Sequence, residues 1–171
     1  MIEPYLSKQW FIDMSAMTKA AIDVVKTKQV QFVPDRWEKL YFEWMNNIKD
    51  WCISRQIWWG HQIPVWTCMA DDATRTDQCD TPIVQVEPPT VCPHCGGATL
   101  QQDPDVLDTW FSSALWPFST MGWPNQTDLM ANYFPTSLLV TGYDILTFWV
   151  SRMITMSLFE TQKVPFSTVY I

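Results

Sequence analysis

The chain has few basic residues: Lys and Arg number 11 in 171 residues, against 18 Asp and Glu, and the formal net charge is −7. A protein that binds nucleic acid through its own surface neutralises phosphates with a basic face. The composition therefore excludes a self-sufficient nucleic-acid-binding domain. Any contact with nucleic acid has to be local or to involve residues outside this chain.

Long apolar runs are also missing. No uninterrupted apolar stretch approaches the roughly 20 residues that cross a bilayer, and the first residues lack the charged-then-apolar order of a secretion signal. We therefore expect a cytoplasmic protein with no membrane partner. The cysteines number five, which is odd, and in that compartment they indicate reduced thiols and a metal site rather than disulfides.

Three regions differ in composition. Residues 1–66 mix helical patterns with short extended pieces, residues 67–103 are polar and contain four of the five cysteines, and residues 104–171 are again dense in apolar side chains. We interpret 67–103 as an insertion. In the first region we predict a helix capped by Ser15 up to about Lys28, a strand at 29–33, and a helix that starts at Asp35.

The last region predicts a strand, a helix and a second strand. Residues 137–141 form a short apolar run that favours a buried parallel strand. Asp144 stands where a helix N-cap belongs, the helix continues to about Glu160, and residues 167–171 form the next strand. This order indicates a βαβ unit of an α/β fold, in which ligands bind beyond the carboxyl ends of the strands.

Three long motifs carry a resemblance to a known family. They are Asp-Val-Leu-Asp-Thr-Trp-Phe-Ser-Ser at 105–113, Thr-Gly-Tyr-Asp-Ile-Leu-Thr-Phe-Trp at 141–149, and Trp-Cys-Ile-Ser-Arg-Gln-Ile-Trp-Trp-Gly-His-Gln-Ile-Pro-Val-Trp at 51–66. In their order along the chain, with 51–66 first, and together with residues 2–11, they resemble the valyl-tRNA synthetase family, class I ligases that activate valine with ATP and load it onto tRNA(Val). The resemblance implies the second half of a Rossmann-like nucleotide-binding domain with a small loop-rich zinc-binding insertion.

The same resemblance indicates that the chain is an internal fragment of such an enzyme. The family signatures His-Ile-Gly-His and Lys-Met-Ser-Lys-Ser, which handle the phosphates of ATP, do not occur in it. In the full enzyme, ATP is the substrate together with Mg. Residues 1–66 then correspond to the catalytic portion that follows the editing insertion, 67–103 to a zinc knuckle, and 104–171 to the second Rossmann half. We assign no catalytic residue within this fragment, and we expect a monomeric parent enzyme.

The resemblance also assigns residues to two substrates. The valine side chain lies between Trp110 and Trp149, and Ile145 closes the pocket one helical turn before Trp149. The adenylate is bound by Thr141, Gly142 and Asp144. The alternative interpretation is a core tryptophan at 110, a turn glycine at 142 and a plain helix cap at 144.

Cys92-Pro-His-Cys95-Gly has the spacing of a zinc knuckle, in which two thiolates converge on one ion. We expect Cys68 and Cys79 to complete a structural zinc site, with His94 as a weaker substitute ligand. The family commonly supplies a second close cysteine pair, and here Cys68 and Cys79 are far apart. The alternative is a metal-free insertion with four scattered thiols. Cys52, in the motif 51–66, is left out of the site.

Two further functions remain open on the sequence. An isoleucyl- or leucyl-type synthetase has the same architecture, although the isoleucyl family typically has Glu-Gly-x-Asp-Gln where this chain has Thr-Gly-Tyr-Asp-Ile at 141–145. A non-enzymatic zinc-binding interaction module has no need of the pocket residues. For Arg55, Gln56 and His61 we expect roles in the catalytic floor or the path of the tRNA acceptor end, and no catalytic role for His61.

Overall fold

A computed structural model describes residues 6–71 and 73–171. The segment 2–5, which contributes to the resemblance, lies outside the described residues. In chain order the described elements are β1 (Phe11–Ile12), α1 (Ser15–Lys26), β2 (Gln31–Val33), α2 (Trp37–Asn46), β3 (Trp51–Cys52), β4 (Ser54–Arg55), β5 (Val65–Cys68), β6 (Ile83–Val84), β7 (Leu100–Gln102), β8 (Val106–Leu107), α3 (Thr109–Ser119), α4 (Asp128–Tyr133), β9 (Thr136–Val140), α5 (Ser151–Thr161) and β10 (Phe166–Tyr170).

The chain divides into two compact units. The first, here called the sheet unit, contains the described residues up to Ile53 together with Thr109–Ile171. The second, the cysteine unit, is Ser54–Asp108. The cysteine unit includes the whole of the region 67–103 and extends beyond both of its ends.

A three-stranded parallel sheet in the order β2-β10-β9 forms the centre of the sheet unit. The chain leaves β9, passes through a helical segment and returns as β10, so the predicted βαβ unit and α/β class are confirmed. The prediction of a fully buried strand is wrong for one face of β9. Leu139 is 5% exposed, whereas Leu138 and Val140 are 55% and 66% exposed, because successive side chains of a strand point to opposite faces and the described helices cover only one.

The covered face of the sheet packs against apolar stripes of α1, α2 and α5. On α2, Tyr41 and Met45 are four residues apart and therefore share one buried face. The buried Tyr41 hydroxyl donates a hydrogen bond to the Ala21 carbonyl of α1 at 2.9 Å. This bond satisfies the polar atom of a side chain that is otherwise surrounded by the apolar core.

Two helix starts differ from the prediction. Met14 occupies the N-cap position of α1, and the backbone N–H of Ser15 donates to Asp13 Oδ1 at 2.9 Å, so Ser15 is not the capping residue. The Ser15 hydroxyl and backbone N–H also hold the pKa of Asp13 below its usual value. The helix ends at Lys26, before Lys28 adopts a left-handed backbone conformation with φ of 60°. α2 begins at Trp37, two residues after the predicted start.

The helix between β9 and β10 is not regular. It starts as a 3₁₀ turn at Tyr143–Ile145, continues as a π-helix at Leu146–Val150, and becomes α-helical only in α5. The prediction that Asp144 is its N-cap is wrong: Gly142 holds the cap position, and no side chain caps the turn. π-helical turns recur at functional sites because they re-aim side chains relative to the α-helix that follows.

The cysteine unit has an antiparallel sheet in the order β6-β5-β7 and a short β4–β8 pair. One buried cluster in this unit consists of Trp66, Ile83 and three cysteines, namely Cys68, Cys79 and Cys92. Sulfur atoms therefore form much of that cluster. Across the described part of the chain, every helix is too short or too polar to serve as a transmembrane segment.

Candidate functional site

The residues predicted to bind an amino-acid side chain lie where α3 packs against the π-helical turn. Trp110 is in the first turn of α3, Ile145 ends the 3₁₀ turn, and Trp149 is in the π-helix. The Trp149 indole Nε1 donates to the Ser113 carbonyl of α3 at 3.0 Å. This bond fixes the rotation of the indole and ties the irregular turn to α3.

Each of the two indoles contacts a different aromatic ring. The ring of Trp110 stacks on Phe148, with centroids 5.8 Å apart and planes at 25°, and the ring of Trp149 lies 5.8 Å from that of Trp116. Both indoles are partly buried. Their role as walls of a substrate pocket stays a prediction. The 145/149 pair spans a π-helical turn, so the two side chains are not related by regular α-helical spacing.

Arg152 contacts two of the motifs, although the sequence analysis did not single it out. Its guanidinium lies 4.0 Å from the centroid of the Trp51 ring and 5.7 Å from that of Phe148. Cation–π contacts of this kind hold a ring and a charge in fixed relation. The available signal was that Arg152 is one of only two charged residues in an otherwise apolar helix. It connects the first residue of the motif 51–66 to the motif 141–149.

The turn predicted to bind the adenylate follows the carboxyl end of β9. The Thr141 backbone N–H donates to the Tyr170 carbonyl at 3.0 Å, which holds the turn against β10. Among the described residues, the buried Thr141 Oγ1 has no hydrogen-bond partner. The Asp144 carboxylate is exposed. A Cβ added at Gly142 would lie 2.5 Å from Asp144 Oδ1, so this position has no room for a side chain while the carboxylate keeps its place.

Four thiols converge within the cysteine unit. The Sγ atoms of Cys68, Cys79, Cys92 and Cys95 all lie within 4.8 Å of one another. The Cys68–Cys95 and Cys79–Cys92 separations are 3.6 and 4.0 Å. Four sulfurs around a tetrahedral zinc with Zn–S bonds of about 2.3 Å are about 3.8 Å apart. The thiols therefore fit a zinc ion, and the alternative of scattered thiols is wrong.

Hydrogen bonds around the thiols already favour negative charge. The Thr76 hydroxyl and backbone N–H, both 3.4 Å from Cys79 Sγ, lower the pKa of Cys79 to about 7. Burial acts to raise the pKa of Cys92, but backbone N–H groups of His94 and Cys95 outweigh it and lower the pKa.

The pKa of the Cys95 thiol is shifted in the opposite direction. The Gly97 N–H favours a thiolate at Cys95, but burial and hydrogen bonds with the other three sulfurs outweigh it and raise the pKa to about 12. The cluster without metal therefore retains protons, which a bound cation would displace.

The remaining cysteine and the two histidine side chains are not grouped with this cluster in the described part of the chain. Among the described residues, the groups placed to share a metal are the four cysteines alone, and His94 is not one of them. Cys52 lies in the sheet unit, where its Sγ is 3.7 Å from Gln9 Oε1. His61 is exposed. Leaving Cys52 out of the site is thus consistent with its position.

The motifs 51–66 and 105–113 meet within the cysteine unit. β4 pairs with β8, with Ser54 opposite Leu107. Arg55 forms an ion pair of 3.0 Å with the buried Asp108, and the Gln56 side-chain amide donates to Asp105 Oδ2 at 2.8 Å. These contacts place Arg55 and Gln56 in the structure of the unit, and their predicted roles in the catalytic floor and acceptor-end path stay predictions.

Comparison with solved structures first shows the fold. The methionyl-tRNA synthetase of Mycobacterium tuberculosis in complex with methionyl-adenylate superposes with a TM-score of 0.63 over 95% of this chain and 25% of that one, at 16% identity. A leucyl synthetase complex from Agrobacterium radiobacter gives a TM-score of 0.55 over 72% of this chain and 19% of that one, at 21% identity. At these identities the likeness shows a shared fold.

Sequence comparison identifies the family. A family model described as tRNA synthetases class I (I, L, M and V) matches residues 2–171, and the chain belongs to this family. The valine--tRNA ligase of Syntrophotalea carbinolica is 56% identical over 171 residues, which is all of this chain and 18% of that protein. That of Pseudothermotoga lettingae is 53% identical over 171 residues, or 19% of its length. The chain therefore spans less than one fifth of these relatives.

Proposed function

We propose that the chain is part of a cytoplasmic valine--tRNA ligase, which activates valine with ATP to valyl-adenylate and transfers the valine to tRNA(Val). The observation that carries this proposal is identity of 53 to 56% along the whole chain to proteins of that name. The Thr-Gly-Tyr-Asp-Ile motif at 141–145 also favours the valine enzyme over the isoleucyl type.

Within that enzyme, Trp110, Ile145 and Trp149 line the valine pocket. Support comes from the packing of α3 against the π-helical turn and from the hydrogen bond that fixes the Trp149 indole. A wall held in this way excludes side chains larger than valine because the indole cannot rotate aside without losing that bond.

The turn Thr141, Gly142 and Asp144 binds the adenylate. The exposed Asp144 carboxylate accepts hydrogen bonds from ribose hydroxyls, and the Thr141 hydroxyl gains a partner when the ligand is present. Support comes from the position of the turn beyond the carboxyl end of a parallel strand, where α/β sheets bind ligands.

The four cysteines hold one structural zinc ion. When bound, zinc cross-links β5, the turn at Asp77–Asp80 and the knuckle at 92–95, and it has no open coordination position for catalysis. Cys92 and Cys95 come from one tight turn in which Gly96 has a φ of 75°, a conformation that favours glycine.

Amino-acid-dependent ATP–pyrophosphate exchange by the full-length protein tests the proposed function. We expect valine to support exchange at least about a hundredfold better than isoleucine or leucine, as a difference of ~2.7 kcal/mol in pocket complementarity would give. Faster exchange with isoleucine or leucine would identify one of the alternative synthetases. Exchange with none of the three would favour the non-enzymatic zinc module.

The isolated 171-residue chain, by contrast, is expected to show no valine-dependent exchange. Transfer to ATP depends on positioned cationic groups that stabilise charge on the phosphates. The chain lacks both family signatures that supply them. Adding the chain at enzyme-like concentrations to the exchange assay checks this, with the full-length protein as positive control. Valine-dependent exchange by the chain alone would show that its residues suffice for activation.

A further inference from the structure

The zinc cluster lies in the more acidic of the two units. In sequence, 54–108 contains seven Asp and one Glu, but only two basic residues, Arg55 and Arg75. Arg55 is engaged with Asp108 in the β4–β8 pair. Four thiolates around a divalent zinc add a further net charge of about −2 to this unit. The unit therefore has one other cation available to offset the charge of its metal centre, and that cation is Arg75.

Arg75 contacts the backbone of Cys68 and the residue that follows Cys79, the two proposed ligands that precede the knuckle in sequence. Its Nη1 donates to the Cys68 carbonyl at 3.2 Å, and its Nη2 pairs with the carboxylate of Asp80, the residue after Cys79. The side chain is 29% exposed, so solvent screens its charge only in part. The guanidinium thus spans the strand that supplies Cys68 and the turn that supplies Cys79.

Arg75 contacts the residues around two ligands through a charged group, whereas the groups that donate to the sulfur atoms themselves are neutral. Among the described residues, the donors to the sulfurs include the hydroxyl and N–H of Thr76 and the backbone N–H groups of Gly97, His94 and Cys95. These supply dipoles, which stabilise a thiolate but do not neutralise net charge.

We propose that Arg75 is the counter-ion of the four-thiolate zinc site and raises its affinity for zinc through its positive charge. The inference rests on the proposed zinc site and is independent of the amino-acid pocket. Removal of a group that orients the ligands or compensates their charge commonly lowers the affinity for the metal about 10- to 100-fold.

Zinc affinity of the full-length protein, measured by competition with a chromophoric chelator, tests the proposal. We expect Arg75→Gln to weaken zinc binding about tenfold or more. Arg75→Lys loses the two-pronged contact but keeps the charge, so a role through charge predicts zinc affinity within about threefold of wild type. Arg36→Gln removes the same charge from the sheet unit and should leave zinc affinity unchanged. The thiolate-to-cobalt absorption of the Co²⁺-loaded variants shows whether four sulfurs still bind.

Asp80→Asn separates charge from mechanical bridging. It breaks the ion pair but also removes a negative charge near the site, so a counter-ion role predicts unchanged or tighter zinc binding. A bridge that only holds the turn in place predicts weaker binding in both Asp80→Asn and Arg75→Gln. Equal weakening in these two variants, equal weakening in Arg75→Lys and Arg75→Gln, or Arg75→Gln within about threefold of wild type would each overturn the proposal. Wild-type protein that binds neither zinc nor cobalt would instead overturn the zinc site itself.

Discussion

In the full-length protein, Trp149→Ala is expected to raise the KM for valine by about 10- to 100-fold, as a loss of ~1.4 to 2.7 kcal/mol would do, while the KM for ATP stays within about twofold. The substitution removes a partly buried indole and the bond from its Nε1 to the Ser113 carbonyl. Because the surrounding helices refill such a space only in part, the valine side chain loses both contact and position. Steady-state exchange kinetics with each substrate varied in turn measure the two constants.

The stability of each variant has to be measured alongside, because a buried Trp→Ala change commonly costs about 3 to 5 kcal/mol of folding free energy. Trp44→Ala is a suitable control, since that indole is on α2, is 51% exposed and is outside the predicted pocket. If Trp149→Ala leaves the KM for valine within about twofold of wild type in protein that melts normally, the pocket is not at residues 110, 145 and 149.

We expect the contrasting result for Asp144→Ala: the KM for ATP should rise, and the KM for valine should change little. The structure makes this variant simpler to interpret than the sequence suggested. Since the Asp144 side chain caps no helix, its removal should not cost the roughly 1 kcal/mol of a lost cap. A lowered melting temperature without any change in the KM for ATP would assign Asp144 a structural role instead.

The double variant Cys92→Ser, Cys95→Ser is expected to lose about one zinc ion per chain, and the region 67–103 should become the first site of proteolysis. Three of the five buried residues in the cluster around the thiols are ligands in the proposed site, so the apolar remainder of that cluster is Trp66 and Ile83. Structural zinc contributes about 10 to 16 kcal/mol of binding free energy, which is as large as the stability of a whole domain. Metal analysis and limited proteolysis followed by mass spectrometry measure both effects.

Cys52→Ser provides the matched control for thiol loss, because Cys52 lies outside the cluster, in β3 of the sheet unit. It should retain zinc at the wild-type ratio and show the wild-type cleavage pattern. Wild-type protein that contains no zinc when purified without chelator would contradict the four-cysteine assignment, as would a double variant that keeps its zinc.

Patterns local in sequence predicted their structures well. The apolar run before Gly142 and the one after Pro165 predicted two parallel strands with a helical segment between them. Strand propensity and strand-breaking residues act over only a few residues, so such patterns can be read from the sequence. The knuckle at 92–95 is equally local, because two cysteines separated by a tight turn face the same point whatever surrounds them. The family resemblance likewise depended on the order of motifs, which needs no coordinates.

Features that depend on contacts between distant residues were decided by the tertiary structure. Met14 rather than Ser15 holds the N-cap position of α1, and a π-helical turn precedes α5, because such details follow from small differences among competing hydrogen bonds. The exposed face of β9 follows from which elements cover the sheet, and a strand pattern does not contain that information.

At the metal site, the sequence determined one pair of cysteines and the tertiary structure brought the other pair to it. The sequence alone determined that Cys92 and Cys95 form a pair, and it named Cys68 and Cys79 only as the remaining candidates. Their convergence within 4.8 Å is a product of the β6-β5-β7 sheet and of the turn that holds Cys79 against it. The stretch between Cys68 and Cys79 has no periodic pattern that sets its path, so folding of the whole unit brings the second pair to the first.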